Sequence, residues 1–316
     1  MTLSFDERDI RQAERFNRLL RLLPRYHTDR RMNARLIQAS LRAWERLPGP
    51  SRRGGAVHVD ERWIGQGERC LRLRLIVPRQ KPTGFYLTFH GGAWVIGTPR
   101  FDDPINIRIA DECAAVVVSV DHHLAADDRL DLAVGDALRA AEWLAFGATA
   151  EFGAGRVVAG GESSGAHLAA LALLHLRALC PERLAGAVLF YGAYDMAGSP
   201  GLQSSSPKSL LIDGQAAYRN LLRLTPGLSD EERRDPRLSP LHADLSGMPP
   251  ALLVAGELDP IFDDSVRMAE RWNLANGNAE FVAVPEGAHG FNRFPLSMAR
   301  KANAHVRQRI GEWLRR

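Results

Sequence analysis

The stretch Val157–Leu171, VVAGGESSGAHLAAL, decides how the rest of the chain is read. An apolar run meets a run of small residues through a serine set among glycines. Glycine costs backbone entropy inside a strand or helix and adds no packing there. Gly160, Gly161 and Gly165 therefore mark a place where tight backbone geometry outweighs local stability. The order of apolar run, Gly161-Glu162-Ser163-Ser164-Gly165 and small-residue run reads as strand, sharp turn and helix. It fits the G-x-S-x-G turn that lifts a serine hydroxyl above a sheet, at the positive end of the following helix. The pentapeptide alone is a weak signal, and its setting gives it weight.

Outward from this turn, strands and helices alternate. GFYLTFH and AAVVVSV (114–120) are continuous and apolar, as strands covered on both faces are. CLRLRLIVP alternates Leu71, Leu73 and Leu75 with Arg72 and Arg74, the period of a half-exposed strand. Helices are expected at 104–112, 131–146, 164–179, 263–275 and 297–315, and strands at 156–160, 185–191, 250–255 and 279–284. That alternation predicts an α/β fold, a mostly parallel sheet with helices on both faces. Residues 196–248 interrupt it and include an expected helix at 214–223. Ahead of the sheet, residues 5–23 form an expected amphipathic helix with Ile10, Ala13, Phe16, Leu20 and Leu23 on one stripe, ended by Pro24. A second helix is expected from about Asn33 to Leu47, and SRRGG reads as a linker. The expected organisation is an N-terminal helical cap segment over 1–50 and a catalytic domain over 54–316, with a cap insertion around 196–248. Ligands of parallel sheets lie at the carboxyl ends of the strands, where both segments are placed to cover them.

A serine nucleophile needs a base, and the base needs an orienting acid. Asp259 and His289 each follow an apolar strand, in GELDP and GAHGF, at the same sheet edge as Ser163. Taken singly, His289 is a loop histidine and Asp259 a helix cap. Together they complete the chain order serine, acid, histidine. Glu257 is the competing acid; Asp259 lies further along its loop. Acyl transfer also needs backbone donors for an oxyanion. FHGGA places Gly91, Gly92 and Ala93 directly after a strand, and the N–H of Ser164 is the expected second donor.

Composition sets the limits. The chain has 316 residues, 45% of them hydrophobic and 25% charged, as soluble globular proteins have. No apolar run approaches the ~20 residues of a membrane helix, so no stable membrane insertion is expected. The charged start MTLSFDERDIRQAERF has no apolar signal core, which points to a cytoplasmic protein. Cys70, Cys113 and Cys180 show no metal spacing and read as packed thiols. Residues 1–53 carry 13 Arg against 6 Asp or Glu, an excess of +7 that leaves −3 for the remainder of a chain of net charge +4. The arginines are interleaved at helical spacing with apolar residues and few aromatics, so a solvated helix face is expected there and nucleic acid is not. His122 and His123 lack a further spaced ligand, so no metal is expected.

These motifs together resemble the hormone-sensitive-lipase-like branch of the α/β-hydrolases, which includes bacterial acetyl esterases. The similarity runs from about residue 84 to 295. FHGGAWVIGT resembles the family's H-G-G-G loop, GESSG its G-D-S-A-G elbow, GELDPIFDDS its D-P-L-x-D segment and GAHGF its H-G-F. VVVSVDHHLAADDRLDLAVGDAL aligns without a gap on its D-Y-R-L-A-P-E segment. The resemblance implies an α/β-hydrolase fold with nucleophile Ser163, acid Asp259, base His289 and an oxyanion hole of Gly91, Gly92, Ala93 and Ser164. It implies a serine esterase acting on short-to-medium acyl esters, with no cofactor and a small-molecule ester as partner. A homodimer stays open. The chain departs from the family at Ala93 for Gly and Glu162 for Asp, and at His122, His123, Ala126 and Asp127 for Tyr, Arg, Pro and Glu. Each keeps the catalytic groups and alters their surroundings. Two other readings remain: an amide or formamide hydrolase of the same fold, and a ligand-binding homologue without turnover.

Overall fold

A computed structural model describes residues 3–27, 29–47, 57–67, 70–125, 128–205 and 209–316. The SRRGG linker, Ala126, Asp127 and the segment 206–208 lie outside the described residues.

Eight strands of the described residues form one sheet: β1 (Val57–Ile64), β2 (Leu71–Pro78), β3 (Gly84–Phe89), β4 (Ala115–Asp121), β5 (Val157–Glu162), β6 (Leu184–Phe190), β7 (Ala251–Gly256) and β8 (Ala279–Val284). Their order is β1-β2-β4-β3-β5-β6-β7-β8. From β4 to β8 all pairs are parallel, and β2 runs antiparallel to both neighbours. The longer helices are α1 (Glu7–Leu20), α2 (Arg31–Glu45), α3 (Asp103–Cys113), α4 (Leu130–Trp143), α5 (Ser164–Leu179), α6 (Gly214–Leu224), α7 (Phe262–Asn276) and α8 (Ser297–Arg315).

Successive strand residues serve opposite faces. Phe85, Leu87 and Phe89 pack towards α4 and α5, while Tyr86 and Val117 face α3 and α8. Burial on both faces explains why these strands are apolar throughout. In β2 the leucines are buried and the arginines reach out, Arg72 to Asp121 (2.7 Å) and Arg74 to Asp103 (2.7 Å).

Two helices differ from the reading of the sequence. Helix α1 starts at Glu7, because Asp6 caps it and Asp9 closes the capping box, and it ends at Leu20, before Pro24 is reached. Its buried stripe is Asp9, Ala13, Asn17 and Leu20, and Leu23 is exposed. The polar members are buried because each is paired. Asp9 takes Lys301 Nζ (2.5 Å) and Ser297 Oγ (2.5 Å), and Asn17 Nδ2 donates to Glu286 O (2.9 Å). Helix α4 stops at Trp143, where a wider turn, Leu144–Ala148, precedes the short helix Thr149–Phe152.

The N-terminal segment and the insert between β6 and β7 meet. Tyr26 donates its N–H to Leu211 O (2.7 Å), and Arg219 pairs with Asp29 (2.8 Å). Helix α2 is tied to the loop after β3 through Gln38, which bonds Gly97 N (2.8 Å) and Gly97 O (3.0 Å).

Candidate active site

The glycines of the opening stretch are required by contact. A Cβ on Gly165 would lie 2.0 Å from Phe89 O, and one on Gly161 would lie 2.5 Å from the Gly165 carbonyl carbon. The turn after β5 is therefore pressed against the end of β3. The loop after β3 presses back: a Cβ on Gly91 would lie 2.9 Å from Glu162 O. Ser163 sits between them at φ 55°, ψ −123°, where an L-residue costs roughly 1–3 kcal/mol. That backbone projects its hydroxyl at the first turn of α5.

His289 Nε2 lies 3.0 Å from Ser163 Oγ, and His289 Nδ1 lies 2.6 Å from Asp259 Oδ2. Asp259 is buried, and its second oxygen accepts the N–H of Ile261 (2.9 Å). That bond fixes the carboxylate's rotation. Glu257, the competing acid, is exposed. The structure thus brings together Ser163, His289 and Asp259 from three loops at one edge of the sheet.

The loop after β3 turns sharply, with Gly92 at φ 129°, Ala93 at 55° and Trp94 at 63°. Gly92 has no room for a side chain, since a Cβ would stand 2.0 Å from Ile96 O. Ala93 bears the strain of a left-handed residue. Among the described residues, the N–H groups of Gly92, Ala93 and Ser164 donate to no acceptor. The loop is pinned by Trp94, whose Nε1–H donates to His167 Nδ1 (3.2 Å), while His167 Nε2–H donates to Leu238 O (2.7 Å). The first bond needs an unprotonated Nδ1 and so a neutral imidazole; the second is open to either form. Burial pushes the His167 pKa down to about 4, against the pull of the Leu238 carbonyl.

Behind the serine lies a partly buried charge network absent from the reading of the sequence. Glu162 accepts from Arg293 Nε (2.7 Å), Asn292 Nδ2 (2.8 Å) and the Tyr191 hydroxyl (2.9 Å). Arg293 also reaches Asp102 (2.5 Å) and covers the ring of Phe101. Burial opposes the Arg293 charge, but Glu162 and Asp102 outweigh it and hold its pKa above the ordinary range. Burial raises Asp102 to about 6 despite Arg293. Tyr191 also packs its ring on that of His289, centroids 4.8 Å apart. Arg293 follows His289 closely in GAHGFNR, which was the available signal; nothing local marked Tyr191.

The replacement histidines are placed outside the site. His122 stacks on His90, centroids 4.2 Å apart, and His123 Nδ1 lies 2.7 Å from Asp136. No group of three metal-ligating side chains occurs among the described residues.

Ser163 and His289 open into a cavity of about 310 Å³, lined mainly by apolar side chains including Tyr26, Ile37 and Leu41 from the N-terminal segment and Ile212 from the insert. A recess of about 40 Å³ beside the serine is lined in part by Trp94, Leu202 and Leu221.

Comparison with known proteins follows the same lines. A family model described as alpha/beta hydrolase fold matches residues 86–293. The chain is 30% identical over 257 residues to carboxylesterase NlhH of Mycobacterium tuberculosis, covering 78% of this chain and 80% of that one. It is 31% identical over 274 residues to the carboxylic ester hydrolase LipN of the same organism, covering 80% of this chain and 68% of the relative. Among solved structures, an esterase of Pyrobaculum calidifontis superposes with a TM-score of 0.78 at 26% identity, covering 94% of this chain and 97% of that one. No helix among the described residues is long and apolar enough to cross a membrane.

Proposed function

The chain belongs to the hormone-sensitive-lipase-like family of α/β-hydrolases, whose relatives above are carboxylesterases, and from that premise we propose that it hydrolyses short-to-medium acyl esters with Ser163 as nucleophile. The observation that carries this reading is the position of His289, within hydrogen-bond distance of Ser163 on one side and of Asp259 on the other.

With Asp259 accepting from Nδ1–H, the imidazole presents its Nε2 lone pair to the serine. Nε2 takes the proton as Oγ attacks the acyl carbon, and Asp259 offsets the charge that forms on the ring. The carbonyl oxygen becomes an oxyanion within reach of the unused N–H groups of Gly92, Ala93 and Ser164, on the loop that Gly91 opens. His289 then returns the proton to the departing alkoxide. Water enters, gives its proton to His289 and attacks the acyl-enzyme; Ser163 leaves reprotonated and the free acid departs. The strained backbone of Ser163 and the packed glycines hold the groups in place before substrate arrives. Glu162, Tyr191 and Arg293 are positioning residues that join the serine turn to the histidine loop.

A cavity of about 310 Å³ is small for a ligand pocket and suits a short-to-medium ester. The test is a series of p-nitrophenyl esters of rising acyl length beside a matched anilide, on the wild type and Ser163→Ala. Fast turnover of acetate to hexanoate, slow turnover of laurate and anilide, and a loss of at least about 10³-fold in the variant are expected. Faster anilide turnover would transfer the assignment to amides. Full activity in a purified Ser163→Ala protein would remove Ser163 as nucleophile.

A further inference from the structure

Helix α2 is apolar on two opposite sides. At 100° per residue, Ala34, Ile37, Gln38 and Leu41 share one side, where Ala34 is buried and Ile37 and Leu41 line the cavity. Met32, Leu36, Ala39 and Ala43 share the opposite side. Met32 and Leu36 are 66% and 62% exposed there, and Leu47, also exposed, follows the helix on the same line. A solvated helix carries polar residues across its outer face; on this one an apolar ridge runs between exposed Arg35 and Ser40. The end of α1 repeats the pattern: Arg15, Arg18, Leu19 and Leu22 fall at i, i+3, i+4 and i+7, all exposed.

The charge around these ridges is one-sided. The excess of +7 over residues 1–53 sits in a chain whose remainder is −3. Arg15, Arg18, Arg30 and Arg46 are exposed and pair with no described carboxylate. On α2, Arg31 pairs with Asp128 and Arg42 with Asp121, which anchors the helix to the sheet domain.

We propose that the outer face of α2, with the end of α1, docks on an anionic lipid surface. Exposed aliphatic side chains enter the acyl boundary while the flanking arginines meet the headgroup charge. A second copy of this chain is disfavoured, because a two-fold contact through this face would set arginines against arginines. Nucleic acid is disfavoured as well. The side chains of both ridges are aliphatic and offer bases nothing to stack on, and the Arg100 guanidinium already stacks on Trp44. The inner side of the same helix roofs the cavity, so docking sets the cavity next to lipid-dissolved molecules. The proposal does not rest on the ester reading, since binding is measured without turnover.

The test is flotation of the full chain with vesicles of phosphatidylcholine alone or mixed with phosphatidylglycerol, at low and high salt. Flotation with the mixed vesicles, reduced by salt and weak with phosphatidylcholine alone, is expected. Met32→Gln/Leu36→Gln lowers partition by roughly tenfold or more. Arg15→Glu/Arg18→Glu lowers it about fivefold or more per arginine. Thermal melting near that of the wild type shows that each variant is folded. The proposal is overturned by absent flotation, by equal partition into both vesicle types, or by variants that bind as the wild type does. Self-association abolished by Met32→Gln/Leu36→Gln, or salt-sensitive binding to an oligonucleotide with none to vesicles, overturns it equally.

Discussion

Gly165→Ala isolates the contact that aligns the serine turn with the loop after β3. The new methyl would stand 2.0 Å from Phe89 O and 2.6 Å from His90 O, both backbone atoms of the strand end that leads into Gly91 and Gly92. Carbonyl oxygens of a central strand cannot swing aside as a side chain can. Relief requires the strand end and α5 to part by about 1.4 Å or more to reach ordinary contact distance. Overpacking of this kind costs about 1–3 kcal/mol of stability, and a backbone clash sits at the upper end. The effect on turnover is larger. A displacement of ~1 Å in a positioned group costs about 10²-fold, and loss of one oxyanion donor costs ~2.7–4 kcal/mol of barrier. The expected result is a kcat lowered by about 10²–10³ with KM little changed, because the apolar cavity wall is untouched. Steady-state kinetics on p-nitrophenyl acetate, beside urea unfolding, reads both quantities. Gly155→Ala is the control: a Cβ there meets nothing within 4 Å, and Gly155 is not among the glycines with positive φ. It should be neutral or gain up to about 1 kcal/mol. Near-wild-type turnover and melting in Gly165→Ala would refute the reasoning.

Three further outcomes follow from the site. Asp259→Asn should lower kcat by about 10³–10⁴ without unfolding the protein, since the amide no longer selects the imidazole tautomer; Glu257→Gln should leave kcat unchanged, and the two rates measured side by side decide between the acids. His167 makes stability depend on pH: its folded pKa of about 4 lies below the unfolded value of 6.5, so its contribution is complete above pH 6.5 and is lost as pH falls towards 4, by up to ~3 kcal/mol. Urea unfolding at several pH values should show a shallower slope over that window in His167→Gln. Arg293→Met should cost about 3–5 kcal/mol by leaving Glu162 and Asp102 without their shared cation. Asp102, which burial raises to about 6 even beside the arginine, then favours a bound proton, so the loss should be smaller at pH 5 than at pH 8, measured again by urea unfolding.

The fold was legible because its signal is local. Each central strand is a continuous apolar run, each helix a periodic one, and the glycines at 160–165 mark the one connection that neither period explains. The reversed direction of β2 was not legible: alternating burial reports which face is covered and says nothing of chain direction. Ala13 and Leu20 of the expected α1 stripe are buried, but its polar members were not legible because Asp9 and Asn17 look solvent-seeking in sequence. Their partners, Lys301 and Glu286, lie more than 260 residues away. Ser163, Asp259 and His289 could be proposed because each follows a strand and the order of their loops is constrained. The network of Tyr191, Glu162, Arg293 and Asp102 could not, because it joins four segments that meet only once the sheet is assembled. The pin between Trp94 and His167 was hidden for the same reason, with His167 inside a run of small helical residues.

The central claim is that His289 makes the Ser163 hydroxyl nucleophilic. Mass spectrometry of the protein after reaction with a fluorophosphonate tests it most directly. A single adduct on the peptide containing Ser163, absent in Ser163→Ala and formed at least about 10²-fold more slowly in folded His289→Ala, is the result this structure predicts. An adduct on another residue, or labelling of Ser163 at an undiminished rate in His289→Ala, would contradict it.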